Sequence, residues 1–251
     1  MKCFIPSALE RFRPFVEALD QRFGEGELIF KGRNELRAFT VEGEQLVVKQ
    51  FRTPSGINRW VYGHLRQSKA QRAFTNAARL LEEGIPTPEP IAWREDYKGG
   101  TLRDCYLVTR RSDYHDLKEA TEAFPAPHTL PILDGFAAFI VRLHERGILH
   151  DDFNNSNTQF HAEADGSYRY ELIDVNRMAF KGRPLTRKEA LHNLRRLTCP
   201  LTAYAYIMNR YGELCGWSPR YTQLDTAERL IAFIRWRDRR RALKRLFKGK
   251  K

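Results

Sequence analysis

The sequence contains few cysteines and no long apolar run. Its four cysteines, Cys3, Cys105, Cys199 and Cys215, are scattered without a C-x-x-C pair or a histidine at zinc-ligand spacing. We therefore expect neither a disulfide framework nor a zinc site, and a reducing compartment is favoured. There is no run of roughly 18 apolar residues, and the N-terminus lacks the apolar region of a signal peptide. The protein is expected to be cytoplasmic, and at most peripheral to a membrane.

Glycine-rich nucleotide motifs are also missing, while positive charge is abundant. No G-x-x-x-x-G-K-[ST] segment occurs, which argues against a P-loop enzyme. The formal net charge of +12 favours anionic partners: nucleotide phosphates, nucleic acid, anionic lipid or a phosphorylated glycan. With 251 residues and 42% hydrophobic content, the chain can build one large domain or two small lobes around a cleft.

One short segment carries recognisable catalytic chemistry. His150, Asp152 and Asn157 match the kinase catalytic-loop pattern H-R-D-L-x-x-x-N, and Asp174 follows further along the chain. In phosphoryl transfer, a carboxylate accepts the proton of the acceptor hydroxyl, while amide and carboxylate oxygens bind the Mg²⁺ ions carried by ATP. We therefore predict Asp152 as the catalytic residue, Asn157 and Asp174 as metal ligands, and His150 as a support for the loop.

The flanking pattern decides between this interpretation and an ordinary turn, because Asp and Asn clusters are also common turn-formers. A helix is predicted over residues 133–146, ended by Gly147. Two alternating segments, residues 158–163 and 167–174, are joined by an Asp-Gly turn that is typical of a hairpin. The apolar stripe of the helix comprises Phe136, Phe139, Ile140 and Leu143. Helix, loop, hairpin and aspartate follow each other in this order in the C-lobe of a kinase.

A strand lysine provides a second element of the predicted site. Residues 27–30, 36–41 and 45–51 alternate as strands do, and the third segment interrupts its apolar run with Lys49. This arrangement resembles the V-A-I-K strand of kinases. A lone strand cation more often faces solvent, but together with the downstream loop it predicts that Lys49 binds ATP phosphates.

The turn between the first two predicted strands is expected to contact the phosphates as well. It contains Lys31, Gly32 and Arg33 in place of the G-x-G-x-x-G motif, and backbone N–H groups with basic side chains can bind phosphate there. Residues 52–67 form a basic and aromatic stretch with the character of an insertion.

The helix after this stretch lacks an expected acid. It is predicted over residues 68–83 with Ser68 as its cap, and in kinases it supplies a glutamate that orients the strand lysine. Here the only glutamates, Glu82 and Glu83, stand at its far end. Either another acid pairs with Lys49, or the lysine meets the phosphates directly. The predicted inward stripe comprises Ala70, Ala73, Phe74, Ala77 and Leu81.

Taken together, these segments resemble the Kdo/WaaP-type lipopolysaccharide kinases, bacterial enzymes that phosphorylate sugars of the lipopolysaccharide inner core. The resemblance covers about residues 25–210. It rests on residues 68–74 (Ser-Lys-Ala-Gln-Arg-Ala-Phe), 84–88 (Gly-Ile-Pro-Thr-Pro), 150–153 with Asn157, and 173–178 (Ile-Asp-Val-Asn-Arg-Met). Two positions depart from the family pattern: Ala73 stands where a glutamate is frequent, and Asn176 replaces the glycine of the D-F-G motif.

The resemblance implies an α+β, bilobal protein-kinase-like fold. The small β-rich N-terminal lobe is expected to span residues 1–109, and the mainly helical C-terminal lobe residues 110–251. The implied activity is the ATP- and Mg²⁺-dependent transfer of a phosphoryl group to a hydroxyl of Kdo or heptose. No A-P-E element and no long activation loop is present, which favours a small-molecule or lipid-linked glycan acceptor over a protein.

The C-terminal end concentrates the positive charge. From Asp225 to Lys251 there are eleven Lys or Arg against three acidic residues. We expect a packed helix to about Trp236, with Leu230, Ile231 and Ile234 on one face, followed by a basic end. Such an end is either a solvated tail or a surface attracted to anionic lipid or to a phosphorylated lipid-linked substrate.

Other functions stay open at this point. The acceptor could be another small molecule or a protein, and the missing helix glutamate would also suit a non-catalytic nucleotide-binding pseudokinase scaffold. The basic end, with Trp236 and Phe247, is compatible with nucleic-acid binding. That alternative is disfavoured because it leaves the loop and the hairpin unexplained.

Overall fold

The computed structural model describes residues 1–51 and 67–248, without the side chains of residues 236, 237 and 240–248. Of the stretch predicted as an insertion, residues 52–67, all but residue 67 lies outside the described residues. The chain divides into two compact units: residues 1–114 with 171–178, and residues 115–170 with 179–251. The lobe boundary after residue 109 stays a prediction.

The first unit is built on an antiparallel sheet of six strands in the order β1-β5-β6-β4-β3-β2. The strands are β1 Lys2–Phe4, β2 Glu27–Lys31, β3 Glu35–Val41, β4 Glu44–Phe51, β5 Pro90–Lys98 and β6 Thr101–Arg110. The three strands predicted from alternation correspond to β2, β3 and β4, so the prediction is confirmed. Within this sheet, Lys49 of β4 is paired with Leu36 of β3 on one side and with Leu107 of β6 on the other.

Helices cover both faces of this sheet. A 3-10 helix (Ser7–Phe12), α1 (Arg13–Glu17) and α2 (Leu19–Arg22) contribute to the core on one face, where Leu46 and Val48 of β4 are fully buried. On the other face, Phe51 belongs to a second core cluster with side chains of α3 (Lys69–Glu82). Because successive strand residues alternate between faces, Lys49 shares the α3 face with Phe51.

The predicted helix over residues 68–83 is confirmed as α3. Ser68 caps it, since its side-chain oxygen accepts from the Gln71 backbone N–H at 3.1 Å. One residue of the predicted inward stripe is wrong: Leu81 is 40% exposed, and Leu80 is buried instead. Each helical residue turns the side chain by about 100°, so a shift by one position moves a leucine from the core to solvent.

The second unit is mainly helical. Its helices are α4 Leu117–Ala123, α5 Thr129–Glu145, α6 Arg187–Leu194, α7 Leu201–Leu214 and α8 Pro219–Lys248. Its strands are β7 His115–Asp116, β8 Ile148–His150 and β9 Thr158–Ala162, while β10 Tyr168–Leu172 and β11 Met178–Phe180 continue across the unit boundary. The strands form a three-stranded sheet, β10-β9-β7, and a two-stranded sheet, β11-β8. The hairpin predicted around the Asp-Gly turn is therefore confirmed, with Gly166 at φ +84°.

Helix α5 leads directly into the predicted catalytic loop. The predicted apolar stripe of this helix is buried. The helix itself begins at Thr129, four residues earlier than predicted. Pro131 lies in the first turn, where a missing N–H removes no intrahelical bond. The helix ends before Gly147, whose φ is +71°, and a Cβ there would collide with the carbonyl oxygen of Arg183. Glycine at this position is thus required by both conformation and packing.

The structure corrects the prediction for the C-terminal helix. Helix α8 continues without interruption past Trp236 to Lys248, because Arg, Lys, Leu and Ala are all good helix formers. The apolar face predicted to pack is partly exposed: Leu230 is 36%, Ile231 48% and Ile234 37% accessible. Within residues 1–51 and 67–248, none of the helices has the length and apolar character of a membrane span.

Candidate active site

In the first unit, Lys49 forms an ion pair with Asp174. The Lys49 Nζ atom lies 2.7 Å from Asp174 Oδ1, with side chains 15% and 31% exposed. The lysine also lies over the ring of Phe51, 5.2 Å from its centroid. A half-buried ion pair is screened less by solvent than a surface pair. The pair joins a strand cation to a carboxylate 125 residues away, and this carboxylate is the acid that the sequence left unassigned.

The segment around Asp174 has a special backbone conformation. Asp174 adopts φ +56°, in the left-handed region that non-glycine residues visit rarely and that aspartate tolerates better than most. Asn176, which is 8% exposed, donates its Nδ2 to Asp174 Oδ1 at 2.6 Å. The carboxylate is thus fixed by an ammonium and an amide. Asn176, which stands where the D-F-G motif has a glycine, thus contacts the predicted metal ligand.

Helix α3 has Ala73 at the position where a glutamate is frequent, but it contributes a polar contact from Asn76, one turn further along. Asn76 donates its Nδ2 to the backbone oxygen of Val175 at 2.7 Å, so the helix holds the segment after Asp174 through the main chain. A second backbone contact holds the strand before it, since Thr87 Oγ1 donates to the Leu172 oxygen at 2.7 Å. These contacts position Asp174 without any acidic side chain from α3.

The turn between β2 and β3 carries the other predicted ATP-binding residues. Lys31, whose side chain is 69% exposed, lies 3.4 Å from Glu35 through its Nζ atom. The Gly32 N–H donates to the Asn34 oxygen at 3.0 Å, and a Cβ on Gly32 would lie 2.8 Å from ring atoms of Phe30. Gly32 therefore permits close packing of the turn, and Lys31 and Arg33 are exposed to solvent.

In the second unit, the predicted catalytic loop is closed by hydrogen bonds around Asp152. The Asp152 N–H donates to His150 Nδ1 at 3.1 Å. Its carbonyl oxygen accepts from Asn154 Nδ2 at 3.0 Å and from Asn157 Nδ2 at 2.9 Å. Since the Asn157 amide nitrogen is used in this bond, the amide oxygen is the atom suited to a cation. His150 is 1% exposed, consistent with a role inside the loop.

Two buried side chains anchor the loop to the unit. Phe153 is fully buried and stacks on Phe136 of α5, with ring centroids 6.1 Å apart and planes at 27°. Asn155 begins a short 3-10 helix, Asn155–Asn157, and donates its Nδ2 to Thr121 Oγ1 of α4 at 2.7 Å. While Phe153 and Asn155 are buried, Asp151 is exposed and Asp152 is partly exposed.

Helix α6 holds the main chain just before Asp152. Asn193 donates its Nδ2 to the His150 carbonyl oxygen at 2.8 Å, and both residues are buried. One turn later, Arg196 donates to the carbonyl oxygen of Asp151. Arg196 lies in the turn that follows the last residue of α6, Leu194, so the helix and the turn after it each contribute one donor to the loop. The two residues preceding Asp152 are thereby fixed through their carbonyl groups.

A buried histidine orients this asparagine. His144 of α5 lies between Asn193 Oδ1, 3.2 Å from its Nε2, and the Tyr211 hydroxyl of α7, 2.9 Å from its Nδ1. Burial lowers the pKa of His144 to about 4, although the Asn193 hydrogen bond opposes this, so the imidazole is neutral near pH 7. A neutral ring has one donor and one acceptor. Because the amide oxygen of Asn193 can only accept a hydrogen bond, the ring proton lies on Nε2, and Nδ1 accepts from the Tyr211 hydroxyl.

The structure thus places the predicted residues in two groups. Lys49 and Asp174 meet in the first unit, and His150, Asp152 and Asn157 share the loop of the second. The positioning residues Asn76, Asn193 and Arg196 were missed by the sequence analysis. The only signal for Asn76 and Asn193 was a polar residue on an otherwise apolar helix face, which is too common to single out. Arg196, in the turn after α6, had no such signal.

Several known proteins are similar to this chain in sequence. A model of the lipopolysaccharide kinase (Kdo/WaaP) family matches residues 29–219. A 3-deoxy-D-manno-octulosonic acid kinase of Haemophilus influenzae is 26% identical over 141 residues, which are 55% of this chain and 57% of that protein. The serine/threonine-protein kinase rio2 of Dictyostelium discoideum is 29% identical over 119 residues, 47% of this chain and 19% of that protein. The matches therefore span less than two thirds of these relatives.

A solved structure shows the same fold over nearly the whole chain. WaaP in complex with acyl carrier protein matches with a TM-score of 0.61 and 17% identity, over 95% of this chain and 99% of that one. The predicted α+β, protein-kinase-like fold is thus confirmed. Since the family model matches most of the chain, including Lys49, the catalytic-loop segment and Asp174, this chain belongs to the lipopolysaccharide kinase (Kdo/WaaP) family.

Proposed function

We propose that the protein is an ATP-dependent kinase that phosphorylates a hydroxyl of a lipopolysaccharide inner-core sugar, Kdo or heptose. The observation that carries this proposal is the Lys49–Asp174 pair at 2.7 Å in a chain that also has the closed loop around Asp152. The family and the Haemophilus influenzae relative, named as a kinase of 3-deoxy-D-manno-octulosonic acid, support the sugar acceptor.

The proposed reaction is a direct transfer. The acceptor hydroxyl oxygen forms a bond to the γ-phosphorus of ATP, the bond from that phosphorus to the β,γ-bridging oxygen breaks, and ADP leaves. The hydroxyl proton passes to the carboxylate of Asp152. His150 and Asn157 hold the backbone of Asp152 and so fix the position from which its side chain extends. The positive charge of Lys49 stabilises the negative charge on the phosphate oxygens in the transition state.

The donor set suits magnesium. Asp174 offers a carboxylate and Asn157 an amide oxygen, and Mg²⁺ prefers such hard oxygen ligands together with substrate phosphates. When bound, Mg²⁺ neutralises charge on the β- and γ-phosphates. Lys31, Gly32 and Arg33 are proposed to contact the phosphates from the β2–β3 turn, through side-chain cations and the main chain.

The acceptor proposal also implies a location. A lipid-linked glycan is met at a membrane surface, so we propose a cytoplasmic protein with peripheral attachment to the inner membrane. Nucleic acid is not part of this proposal.

Substitution of Asp152 tests the proposal. Phosphate transfer from labelled ATP to a Kdo-containing lipid acceptor should fall by about 10² to 10⁴-fold in Asp152→Ala, while Mg·ATP still raises the melting temperature. Asp151→Ala is the matched control: it removes an exposed neighbouring carboxylate and leaves the carbonyl that Arg196 contacts. Equal turnover in the two variants would contradict the assignment. Mg·ATP binding without any turnover in the wild type would indicate a nucleotide-binding scaffold.

A further inference from the structure

Helix α8 exposes a contiguous set of large apolar side chains. Four such residues within eleven positions are 36 to 53% exposed: Leu224, Leu230, Ile231 and Ile234. At about 100° per residue, Leu224, Ile231 and Ile234 lie within a sector of about 80°, with Leu230 beside them. Single exposed leucines are ordinary, but a contiguous apolar face marks an interaction surface.

The opposite side of α8 attaches the helix to its own unit. Asp225, which is 4% exposed, accepts from the Tyr204 hydroxyl of α7 at 3.1 Å and from Arg195 Nε at 2.9 Å. The Arg229 guanidinium lies over the Tyr204 ring, 3.6 Å from its centroid. The orientation of the first half of α8 is therefore fixed, and its apolar face is directed away from these contacts.

Positive charge follows the apolar face along the same helix. Residues 235–248 contain eight Lys or Arg and one Asp, and the helix continues through all of them. Arg235 and Arg239 are exposed. The negative surface potential of anionic lipid attracts a basic segment of this kind.

We propose that α8 docks on an anionic phospholipid surface, with the apolar face of residues 224–234 inserted at the boundary of headgroups and acyl chains and the basic half lying among the headgroups. An apolar face joined to a strongly basic segment on one helix is the pattern of interfacial helices. Charge complementarity selects anionic lipid over neutral lipid. The surface fits the lipid-linked acceptor proposed above, but vesicle binding does not require any particular acceptor.

Vesicle co-sedimentation of the full chain tests the proposal. The wild-type protein should sediment with vesicles of phosphatidylcholine and phosphatidylglycerol, should not sediment with phosphatidylcholine alone, and should be released as salt is raised. Ile231→Gln with Ile234→Gln should weaken binding by at least about tenfold, because two apolar side chains are removed from the membrane boundary. Leu201→Gln with Leu214→Gln is the matched control; these α7 leucines are 38% and 50% exposed and should be replaceable without effect.

Several results would overturn the proposal: equal binding to neutral and anionic vesicles, no binding, or equal losses in the two double variants. Capture of soluble acyl carrier protein through Ile231 and Ile234 without vesicle binding would assign the face to a protein partner and would also overturn it. Phosphoryl transfer is measured separately with a detergent-dispersed acceptor, so failure of vesicle binding and failure of the proposed function are distinguished.

Discussion

The Nζ atom of Lys49 lies 2.7 Å from Oδ1 of Asp174, and no glutamate of α3 takes part in the pair. In this chain the strand lysine is paired with the residue predicted to bind the metal. The helix that would supply a glutamate instead holds the adjacent backbone through Asn76. Lysine and Mg²⁺ are therefore expected to share one carboxylate when nucleotide is bound.

Replacement of Lys49 should abolish productive nucleotide binding. In Lys49→Met, kcat/KM for ATP should fall by at least about 100-fold, because a preorganised cation near the phosphates is lost. Lys98→Met is a suitable control, since Lys98 is an exposed lysine at the end of β5. Steady-state kinetics and the ATP-induced shift in melting temperature measure the effect. An unchanged kcat/KM in Lys49→Met would show that the pair is only structural.

Asn193 should affect turnover through the loop that it holds. In Asn193→Ala, the His150 carbonyl and the His144 ring lose a buried partner, which should lower the free energy of unfolding by about 1 to 3 kcal/mol. Because Asn193 contacts the loop of Asp152 and not the residues predicted to bind ATP, kcat should fall while KM for ATP stays within about twofold. Asn209→Ala, at an exposed position of α7, should change neither quantity. A fall in stability with unchanged kcat would contradict the positioning role.

The buried His144 should make the protein sensitive to acid. Its pKa is lowered to about 4 by burial, whereas an unfolded histidine titrates near 6.5. Its contribution to stability is therefore complete above about pH 6.5 and is lost as the pH falls toward about 4, with an upper limit of about 3 kcal/mol. Urea unfolding at several pH values should show this loss, and His144→Gln should reduce the slope. His192→Gln, at an exposed histidine of α6, should keep the wild-type slope; equal slopes in all three proteins would refute the role of His144.

Glu171 should give the opposite pH dependence, with stability that decreases as the pH rises. Burial raises the pKa of this carboxyl group, which is 4% exposed and whose Oε1 has no hydrogen-bond partner within the described residues. The protonated form is favoured in the folded state, so stability is highest below the unfolded pKa of about 4.3 and decreases as the pH rises through the raised value. Glu171→Gln should remove this decrease and raise the midpoint of urea unfolding at pH 8. A lower midpoint would show that the ionised carboxylate is stabilised in the fold.

Local patterns predicted much of the architecture, and they also single out the two groups of candidate site residues. The catalytic loop is contiguous in sequence, and Lys49 stands out because it interrupts an apolar strand. Asn193 and Arg196, in contrast, reach the loop from more than 40 residues away along the chain. Only packing of α6 brings them there, and a buried asparagine on a helix has no sequence pattern of its own.

The errors have equally local causes. The choice between Leu80 and Leu81 depends on one step of 100° around α3, which periodicity in a short helix does not fix. The extent of α8 was underestimated because its later leucines do not continue the earlier apolar face. The Arg-, Lys- and Leu-rich end has favourable helix propensity and continues a helix that already exists before it.

The most direct test of the central claim is the mass of a lipid-linked inner-core acceptor after incubation with the protein, ATP and Mg²⁺. The account predicts the addition of one phosphoryl group, located by fragmentation on a Kdo or heptose residue, with the wild-type protein and not with Asp152→Ala. An acceptor of unchanged mass, under conditions where Mg·ATP stabilises the wild-type protein, would contradict it.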